Sequence, residues 1–212
     1  MLKIWGRNTS SNVQVVMWAV AELGLEHQRV DWGGAFGGNN DPEYREMNPN
    51  GLIPTIRDGD TVVWESAAIL RYLAARYGSE AFWPTDPSKR APLDVWAEWI
   101  KTTFAPPLTN QVFWQLIRTP AAERDQAMIA GGVARLKQLA PLLDARLGAG
   151  PYLNGSDLCF ADIMIGHLLY RYFTLEIERA ETPNLAAYYQ RLQKRPAYGE
   201  HVMVSYESLR AP

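Results

Sequence analysis

Two hydrophobic periodicities divide the chain near residue 80. Before that point, short apolar runs alternate with stretches in which apolar residues recur at three- and four-residue steps. These are the patterns of strands and amphipathic helices. Beyond it, the helical pattern continues and the strand pattern stops. We therefore predict a mixed α/β domain over residues 1–79 and an all-helical domain over residues 89–212, because a shift of this kind marks a domain boundary.

The first domain is predicted to have the element order βαβαββα. The strands are expected over residues 2–6, 27–32, 52–56 and 61–65, and the helices over residues 11–25, 41–48 and 66–78. Asp58-Gly59-Asp60 lies between the last two strands and is a strong hairpin signal. Residues 33–40, with four glycines, are predicted to form a flexible loop.

The second domain is predicted to contain helices only. They are expected over residues 93–117, 121–148, 160–174 and 183–194, with one or two shorter helices after them. Residues 82–92 contain three prolines and are predicted to be a linker. Ala105-Pro106-Pro107 is expected to kink or end the first long helix, since proline removes a hydrogen-bond donor from it.

Composition excludes several classes of function. The net charge is −2 and no long run of Lys or Arg occurs, so we expect no nucleic-acid partner. The single cysteine, Cys159, cannot form an intrachain disulfide and is typical of a reducing compartment. The first residues contain no apolar core of signal-peptide length, and no apolar run is long enough to span a membrane. These features predict a cytoplasmic protein without a membrane partner.

One residue in the first domain is out of place in a strand. Pro54 interrupts the apolar run of "NPNGLIPTI", residues 48–56, although proline cannot complete a ladder of backbone hydrogen bonds. An edge strand or a turn would explain it. Alternatively, the strand breaks there and leaves the backbone of Ile53 free for a ligand.

A second candidate feature follows the hairpin. Glu65-Ser66 stands where a strand passes into a helix, and the N–H groups of a helix N-terminus attract anions. Ser66 would bind a carboxylate there, and Glu65 would accept an ammonium group. A capping pair that only stabilises the helix is the simpler interpretation. Together with Pro54, the pair favours a short zwitterionic peptide as ligand.

These residues form two motifs of a known family. N-P-x-G-x-x-P over residues 48–54 and E-S-x-A-I-x-x-Y-L over residues 65–73 resemble the thioredoxin-like domain of cytosolic glutathione transferases. The resemblance extends over the whole order of elements. It implies a cis peptide bond before Pro54, pairing of the Ile53 backbone with the cysteinyl unit of glutathione, and a homodimer.

The resemblance also suggests how the glutathione thiol is activated. Ser10 falls where the theta and zeta classes carry an activating serine, and the tyrosine of the mammalian alpha, mu and pi classes is absent. Ser11 is adjacent, and Asn12 matches an asparagine that contacts the sulfur in bacterial nu-type members. All three could instead cap the first helix. The catalytic candidates are therefore Ser10, Ser11 and Asn12.

Cys159 is not expected to be catalytic. In the family, a capping box S/T-x-x-D opens the buried helix of the second domain, and here "CFAD" puts Cys159 at the cap and Asp162 three residues later. Asp162 is therefore expected to be structural. The three histidines, His27, His167 and His201, form no metal set with a cysteine pair, and no metal is predicted.

The pocket for the second substrate is the least determined part. A cleft between the domains would be lined by aromatic and apolar residues of the glycine-rich loop and of helix 93–117. The candidates are Trp32, Phe36, Phe104, Val112, Phe113 and Trp114.

The resemblance predicts a glutathione transferase that adds the glutathione thiolate to small electrophiles, with glutathione as co-substrate. A glutathione-dependent disulfide or peroxide reductase of nu type is one alternative, and a non-enzymatic glutathione-binding stress protein is another. The dimer face is expected to include the start of helix 66–77 and the helix after residue 88. Its candidate residues are Ala67, Arg71, Arg76 and Trp96.

Overall fold

A computed structural model describes all 212 residues of the chain. The first part contains one four-stranded sheet in the order β2-β1-β3-β4, with β1 parallel to β2 and antiparallel to β3. Its elements are β1 (Leu2–Trp5), α1 (Ser11–Glu22), β2 (His27–Val30), α2 (Pro42–Met47), β3 (Thr55–Asp58), β4 (Thr61–Trp64) and α3 (Ser66–Tyr77). The predicted order βαβαββα is confirmed.

Alternation along β1 explains how the sheet is covered. Leu2 and Ile4 point to one face, where they are buried with Ile56 of β3 against apolar residues of α1 and α3. Lys3 and Trp5 point to the other face, towards α2. Burial of about 25 cal/mol per Å² of apolar surface holds α1 and α3 on their side of the sheet.

The strand that contains Pro54 differs from its prediction. β3 begins at Thr55, not at residue 52, and its first residue pairs with Trp5 of β1 and Trp64 of β4. Pro54 has no N–H to donate, so regular pairing starts only after it. The Ile53–Pro54 peptide bond is cis, as the resemblance implied.

The second part is helical throughout. Its α-helices are α4 (Pro87–Trp99), α5 (Gln126–Leu147), α6 (Phe160–Gly166), α7 (Leu169–Thr174), α8 (Pro183–Gln193) and α9 (Pro196–His201). Residues Ile100–Phe104 and Pro107–Arg118 continue α4 with the wider hydrogen-bond spacing of a π-helix. Short 3₁₀ turns occupy Gly34–Phe36, Ala121–Glu123 and Glu207–Leu209.

Two predictions about the first long helix are corrected. It starts at Pro87 rather than residue 93, because Asp86 caps it by accepting a hydrogen bond from Ser88 N at 2.8 Å, and proline fits the first position of a helix. It does not end at Ala105-Pro106-Pro107 either. The backbone of Pro106 stays helical, with φ −58° and ψ −51°, and the π-type spacing follows it.

Two further helix boundaries differ from the prediction. The helix expected over residues 160–174 is divided into α6 and α7, and the one expected from residue 121 starts at Gln126. Asp125 caps the latter, since its carboxylate accepts a hydrogen bond from Met128 N at 2.9 Å.

The two parts share a contact surface along α1. The Trp18 ring meets the Tyr198 ring edge-on with centroids 4.8 Å apart, and Arg195 donates two hydrogen bonds to the Glu22 carboxylate at 2.7 and 2.6 Å. These contacts fix α1, and therefore its N-terminus, against the helical domain. No helix combines the length and the apolarity that a membrane crossing requires.

Candidate functional site

The N-terminus of α1 presents two free hydroxyl groups. Ser10 occupies the cap position with extended backbone angles, φ −82° and ψ 122°, yet its side chain makes no capping hydrogen bond. The Ser11 hydroxyl has no partner within the chain either. The capping role considered for Ser10 is therefore not seen, and its oxygen is available beside the positive end of the helix.

The loop that carries Ser10 is held by side chains from several elements. Arg7 Nη1 donates to Thr9 Oγ1 at 2.8 Å, and Arg171 Nη2 of α7 donates to the Thr9 carbonyl at 2.8 Å. Gln14 Nε2 donates to the Asn8 carbonyl at 3.0 Å. Because Thr9 is bound from both sides, the position of the neighbouring Ser10 is fixed.

The start of α3 lies beside the start of α1. Ser66 is buried, and its hydroxyl donates to Asn12 Oδ1 at 3.3 Å. Glu65 has φ 68° and is the one non-glycine residue with a positive φ. Such a conformation costs about 1–3 kcal/mol and concentrates at functional sites. The hydrogen bond between Ser66 and Asn12 thus joins the starts of α3 and α1, which lie more than fifty positions apart in the sequence.

Glu65 already has an ammonium partner. Lys101 Nζ lies 3.2 Å from its carboxylate, and the side chains of Lys101 and Glu65 are 35% and 52% exposed. An exposed ion pair of this kind contributes only about 0–1 kcal/mol. The Glu65 carboxylate therefore binds an ammonium group in this position, and the pair is weak enough for another ammonium group to replace Lys101.

In the segment before β3, side chains hold the residues on both sides of Ile53 and Pro54, and the backbone of Ile53 has no hydrogen-bond partner. Asn48 Nδ2 donates to the Leu52 carbonyl at 2.8 Å and to Thr55 Oγ1 at 3.0 Å. Tyr44 also donates to the Leu52 carbonyl, at 2.6 Å. The N–H and C=O of Ile53, between these anchors, make no hydrogen bond within the chain. The backbone that Pro54 was expected to leave free is therefore unpaired.

A cavity of about 340 Å³ opens next to Ser10. Ser10, Ser11 and Asn12 line one side, and residues of the π-helical segment and of α6 and α7 line the other. Phe113 and Trp114 are among them, as the sequence predicted for a second-substrate pocket.

The other pocket candidates do not line this cavity. Phe104 is completely buried in the helical core between Trp99 and Tyr172, and Phe36 is 59% exposed on a surface turn. Val112 is also a core residue, and Trp32 lines a separate cavity beside the sheet. Apolar residues in an amphipathic pattern pack into a core more often than they line a pocket, which explains these misplacements.

The sequence analysis missed the charged residues of the cavity. Arg7, Arg118 and Arg171 line it, and no aspartate or glutamate does. Burial lowers the pKa of Arg171 to about 10, so its guanidinium is still charged at neutral pH. Burial also lowers the pKa of His167, another lining residue, to about 3, which keeps that imidazole neutral. Three single arginines in distant segments leave no pattern in the sequence.

Asp162 and Cys159 lie outside the cavity, at the start of α6. One oxygen of Asp162 accepts from Cys159 N at 2.9 Å, and the other accepts from Leu153 N at 3.0 Å and Tyr188 OH at 2.8 Å. The structural role predicted for Asp162 is confirmed. Burial raises the pKa of the Cys159 thiol far above its usual value, so it is no nucleophile at neutral pH. No three His, Cys, Asp or Glu side chains come together as a metal site.

Comparison with known proteins decides the family. Residues 9–76 match the family model "Glutathione S-transferase, N-terminal domain", and residues 97–196 match "Glutathione S-transferase, C-terminal domain". The chain belongs to the glutathione S-transferase family. It is 39% identical over 209 residues to the glutathione S-transferase GstB of Escherichia coli K12, covering 96% of this chain and 99% of that one.

A solved structure and a plant relative agree with this assignment. The theta class glutathione S-transferase of Xanthomonas axonopodis pv. citri, with glutathione bound, superimposes with a TM-score of 0.90 at 46% identity, covering 96% of this chain and 98% of that one. Glutathione S-transferase 3 of Zea mays is 31% identical over 211 residues, covering 95% and 93% of the two chains. The fold and the transferase activity that the motifs predicted are confirmed, and this protein is a glutathione S-transferase.

Proposed function

We propose that this glutathione S-transferase holds glutathione across the edge of the sheet and the start of α3, with the sulfur at Ser10. The observation that carries the proposal is the free Ser10 hydroxyl. It sits at the N-terminus of α1 and lines the cavity, and Asn12, two residues further along, accepts a hydrogen bond from Ser66 at the start of α3.

In this arrangement the peptide is bound largely by backbone. The N–H and C=O of Ile53 pair with the cysteinyl unit, as one strand pairs with another. Ser66 and the unpaired N–H groups at the start of α3 bind the γ-glutamyl carboxylate. Glu65 accepts the ammonium group of the same unit, which takes the place of Lys101.

Ser10 and the positive end of α1 then favour the thiolate over the thiol. A free thiol has a pKa near about 8.5, and each unit of depression needs about 1.4 kcal/mol of preferential thiolate binding. The thiol proton leaves to solvent. With an aryl chloride, the sulfur forms a bond to the ring carbon, the carbon–chlorine bond breaks, and chloride leaves with its electron pair.

Asn12 is the second candidate for the sulfur contact. Its Oδ1 is occupied by Ser66, but its Nδ2 has no partner within the chain and is free to donate. An asparagine donor to the sulfur would favour the reductase alternative. Turnover of chlorodinitrobenzene with glutathione measures the transferase activity, and reduction of a glutathione-capped disulfide tests whether the chain also acts as a reductase.

Ser66→Ala should weaken glutathione binding roughly ten- to hundredfold, because it removes a charge-assisted contact of about 1.5–3 kcal/mol. Glu65→Gln should weaken it less, since its site is more exposed. Calorimetric titration with glutathione measures both constants. Ser88→Ala is a matched control, since Ser88 also lies in the first turn of a helix but is exposed and outside the site. Unchanged affinity in both Ser66→Ala and Glu65→Gln would refute the binding mode.

We also propose a cytoplasmic homodimer that uses the exposed side of α3 and α4. Ala67 is buried within its own chain, and Arg71 is paired with Asp94 and Glu98. Arg76 is paired with Asp58, but its side chain is 59% exposed, and Trp96 is half-buried, so these two of the predicted interface residues remain available for contact with a partner. Val95 of α4 is 64% exposed and adds an apolar side chain to this face.

Sedimentation velocity at micromolar concentration should show a species of twice the 23.9 kDa chain mass. Val95→Glu should shift it towards the monomer, because a carboxylate would be desolvated in the interface. Leu142→Glu is the control, since Leu142 is an exposed apolar residue on a different helix, α5. A monomer alone in the wild type would contradict the dimer.

A further inference from the structure

The cavity beside Ser10 contains positive charge that nothing in the chain neutralises. Arg7, Arg118 and Arg171 line it, and no carboxylate does. None of the three takes part in an ion pair. Lys101, the remaining cation of the lining, already contacts Glu65. The uncompensated charge therefore belongs to the three arginines.

Arg171 is the most deeply placed of them. Its side chain is only 6% exposed, its one hydrogen bond goes to the Thr9 carbonyl, and its guanidinium carbon lies 4.1 Å from the centroid of the Phe113 ring. A guanidinium has five N–H donors, so most of those of Arg171 have no acceptor in the chain. Buried charge in proteins is normally paired.

Arg7 and Arg118 add to the positive charge of the cavity and do not neutralise that of Arg171. The Arg7 side chain makes a single hydrogen bond, to Thr9 Oγ1. Arg118 makes none and lies over the Trp114 ring with its guanidinium carbon 4.4 Å from the centroid. Burial lowers the pKa of Arg7, and the positive charge of Arg118 lowers it further. The two side chains are thus close enough to repel one another.

The arginines and the proposed peptide-binding residues belong to different parts of the site. Ile53, Glu65 and Ser66 do not line the cavity. The γ-glutamyl carboxylate, which Ser66 is proposed to bind, is therefore not the anion that would neutralise these arginines. The cavity also has apolar walls, which include Phe113 and Trp114.

We infer that the electrophile of this transferase is a small aromatic molecule that carries a carboxylate, which Arg118 and Arg171 bind in the cavity while the reactive carbon faces the sulfur at Ser10. This inference rests on the proposed function of the site. Planar guanidinium groups match carboxylates in geometry as well as charge, and the aromatic walls would cover the ring.

The charge has a further consequence for the reaction. An anionic electrophile is repelled by the glutathione thiolate that must attack it, and this repulsion is strong in a cavity of low dielectric constant. Arginines around the carboxylate neutralise that repulsion as the sulfur–carbon bond forms and the halide leaves. A neutral electrophile would gain nothing from them.

Two aryl chlorides that differ only in charge test the inference. They are a chloronitrobenzoate, with chlorine para to the carboxylate and nitro next to the chlorine, and the corresponding benzamide. For each, kcat/KM is divided by the rate constant of the uncatalysed reaction with glutathione, which removes the difference in intrinsic reactivity. The wild type should prefer the benzoate by roughly tenfold or more, the size of one charge-assisted contact.

Arg118→Gln is the informative variant, because Arg118 makes no hydrogen bond that holds the Ser10 loop. It should lower the normalised rate for the benzoate roughly tenfold and leave that for the benzamide nearly unchanged. Arg118→Lys should restore part of the preference. Arg135→Gln removes the same charge from an exposed position on α5 and should change neither rate.

The outcomes separate this inference from the proposed function. If the wild type shows no preference for the benzoate, the inference is overturned and the proposed function is left intact. An equal loss of rate for both substrates in Arg118→Gln has the same meaning. A raised KM for glutathione in that variant would assign Arg118 to the peptide site and also overturn it. If Ser10→Ala turns over chlorodinitrobenzene as fast as the wild type, the proposed function itself fails.

Discussion

Ser10→Ala should lower kcat/KM for conjugation roughly ten- to hundredfold, because one hydrogen bond to an anion is worth about 1.5–3 kcal/mol. Glutathione affinity should change little, since the contact is to the sulfur and is stronger for the thiolate than for the thiol. The profile of rate against pH should move to higher pH, because the bound thiol would ionise less readily. The free energy of unfolding should stay within about 0.5 kcal/mol, since Ser10 makes no capping bond that could be lost.

Ultraviolet titration of the bound thiolate decides among the candidates. The pKa of bound glutathione should rise in Ser10→Ala and change little in Ser11→Ala, whose hydroxyl lies one residue further along the same turn. If Asn12→Ala raises that pKa and Ser10→Ala does not, the sulfur ligand is Asn12 and the reductase alternative gains support.

Asp162→Ala should reduce the free energy of unfolding by about 3–5 kcal/mol, the loss found when one partner of a buried polar network is removed. The backbone N–H groups of Leu153 and Cys159 and the hydroxyl of Tyr188 would all lose their acceptor. All three donors belong to buried residues. Equilibrium unfolding in urea measures the change.

Two further variants sharpen this measurement. Asp162→Asn keeps one acceptor oxygen and should cost less than the alanine variant. Asp157→Ala removes an exposed aspartate from the loop before α6 and should change the stability by less than about 0.5 kcal/mol. Equal stability of Asp162→Ala and wild type would show that the three donors find other acceptors.

Local signals predicted the fold and half of the site. Pro54 in an apolar run, Asp-Gly before a strand and Glu65-Ser66 before a helix each mark a backbone feature within a few residues. Such features depend on neighbours in the chain, so a sequence displays them directly. The start of the long helix was missed because three prolines outweighed the capping signal of Asp86.

The arginine lining of the cavity could not be predicted in this way. Arg7 lies in a loop of the first domain, whereas Arg118 and Arg171 lie on two helices of the second. They meet only because α1 is fixed against the helical domain by contacts such as that of Glu22 with Arg195. No periodicity or spacing connects them, and their common function depends on how the two domains pack.

The hydrogen bond from Arg171 to the Thr9 carbonyl makes the reactivity of the sulfur site a property of both domains. A chimaera that joins this α/β domain to a helical domain without an arginine at that place would keep the proposed glutathione contacts of Ile53, Glu65 and Ser66 and lose the hydrogen bond to Thr9 beside Ser10. Recombination of domains would then alter the nucleophile together with the substrate range. Lineages that diversify by exchanging helical domains would have to preserve this one arginine or replace its contact.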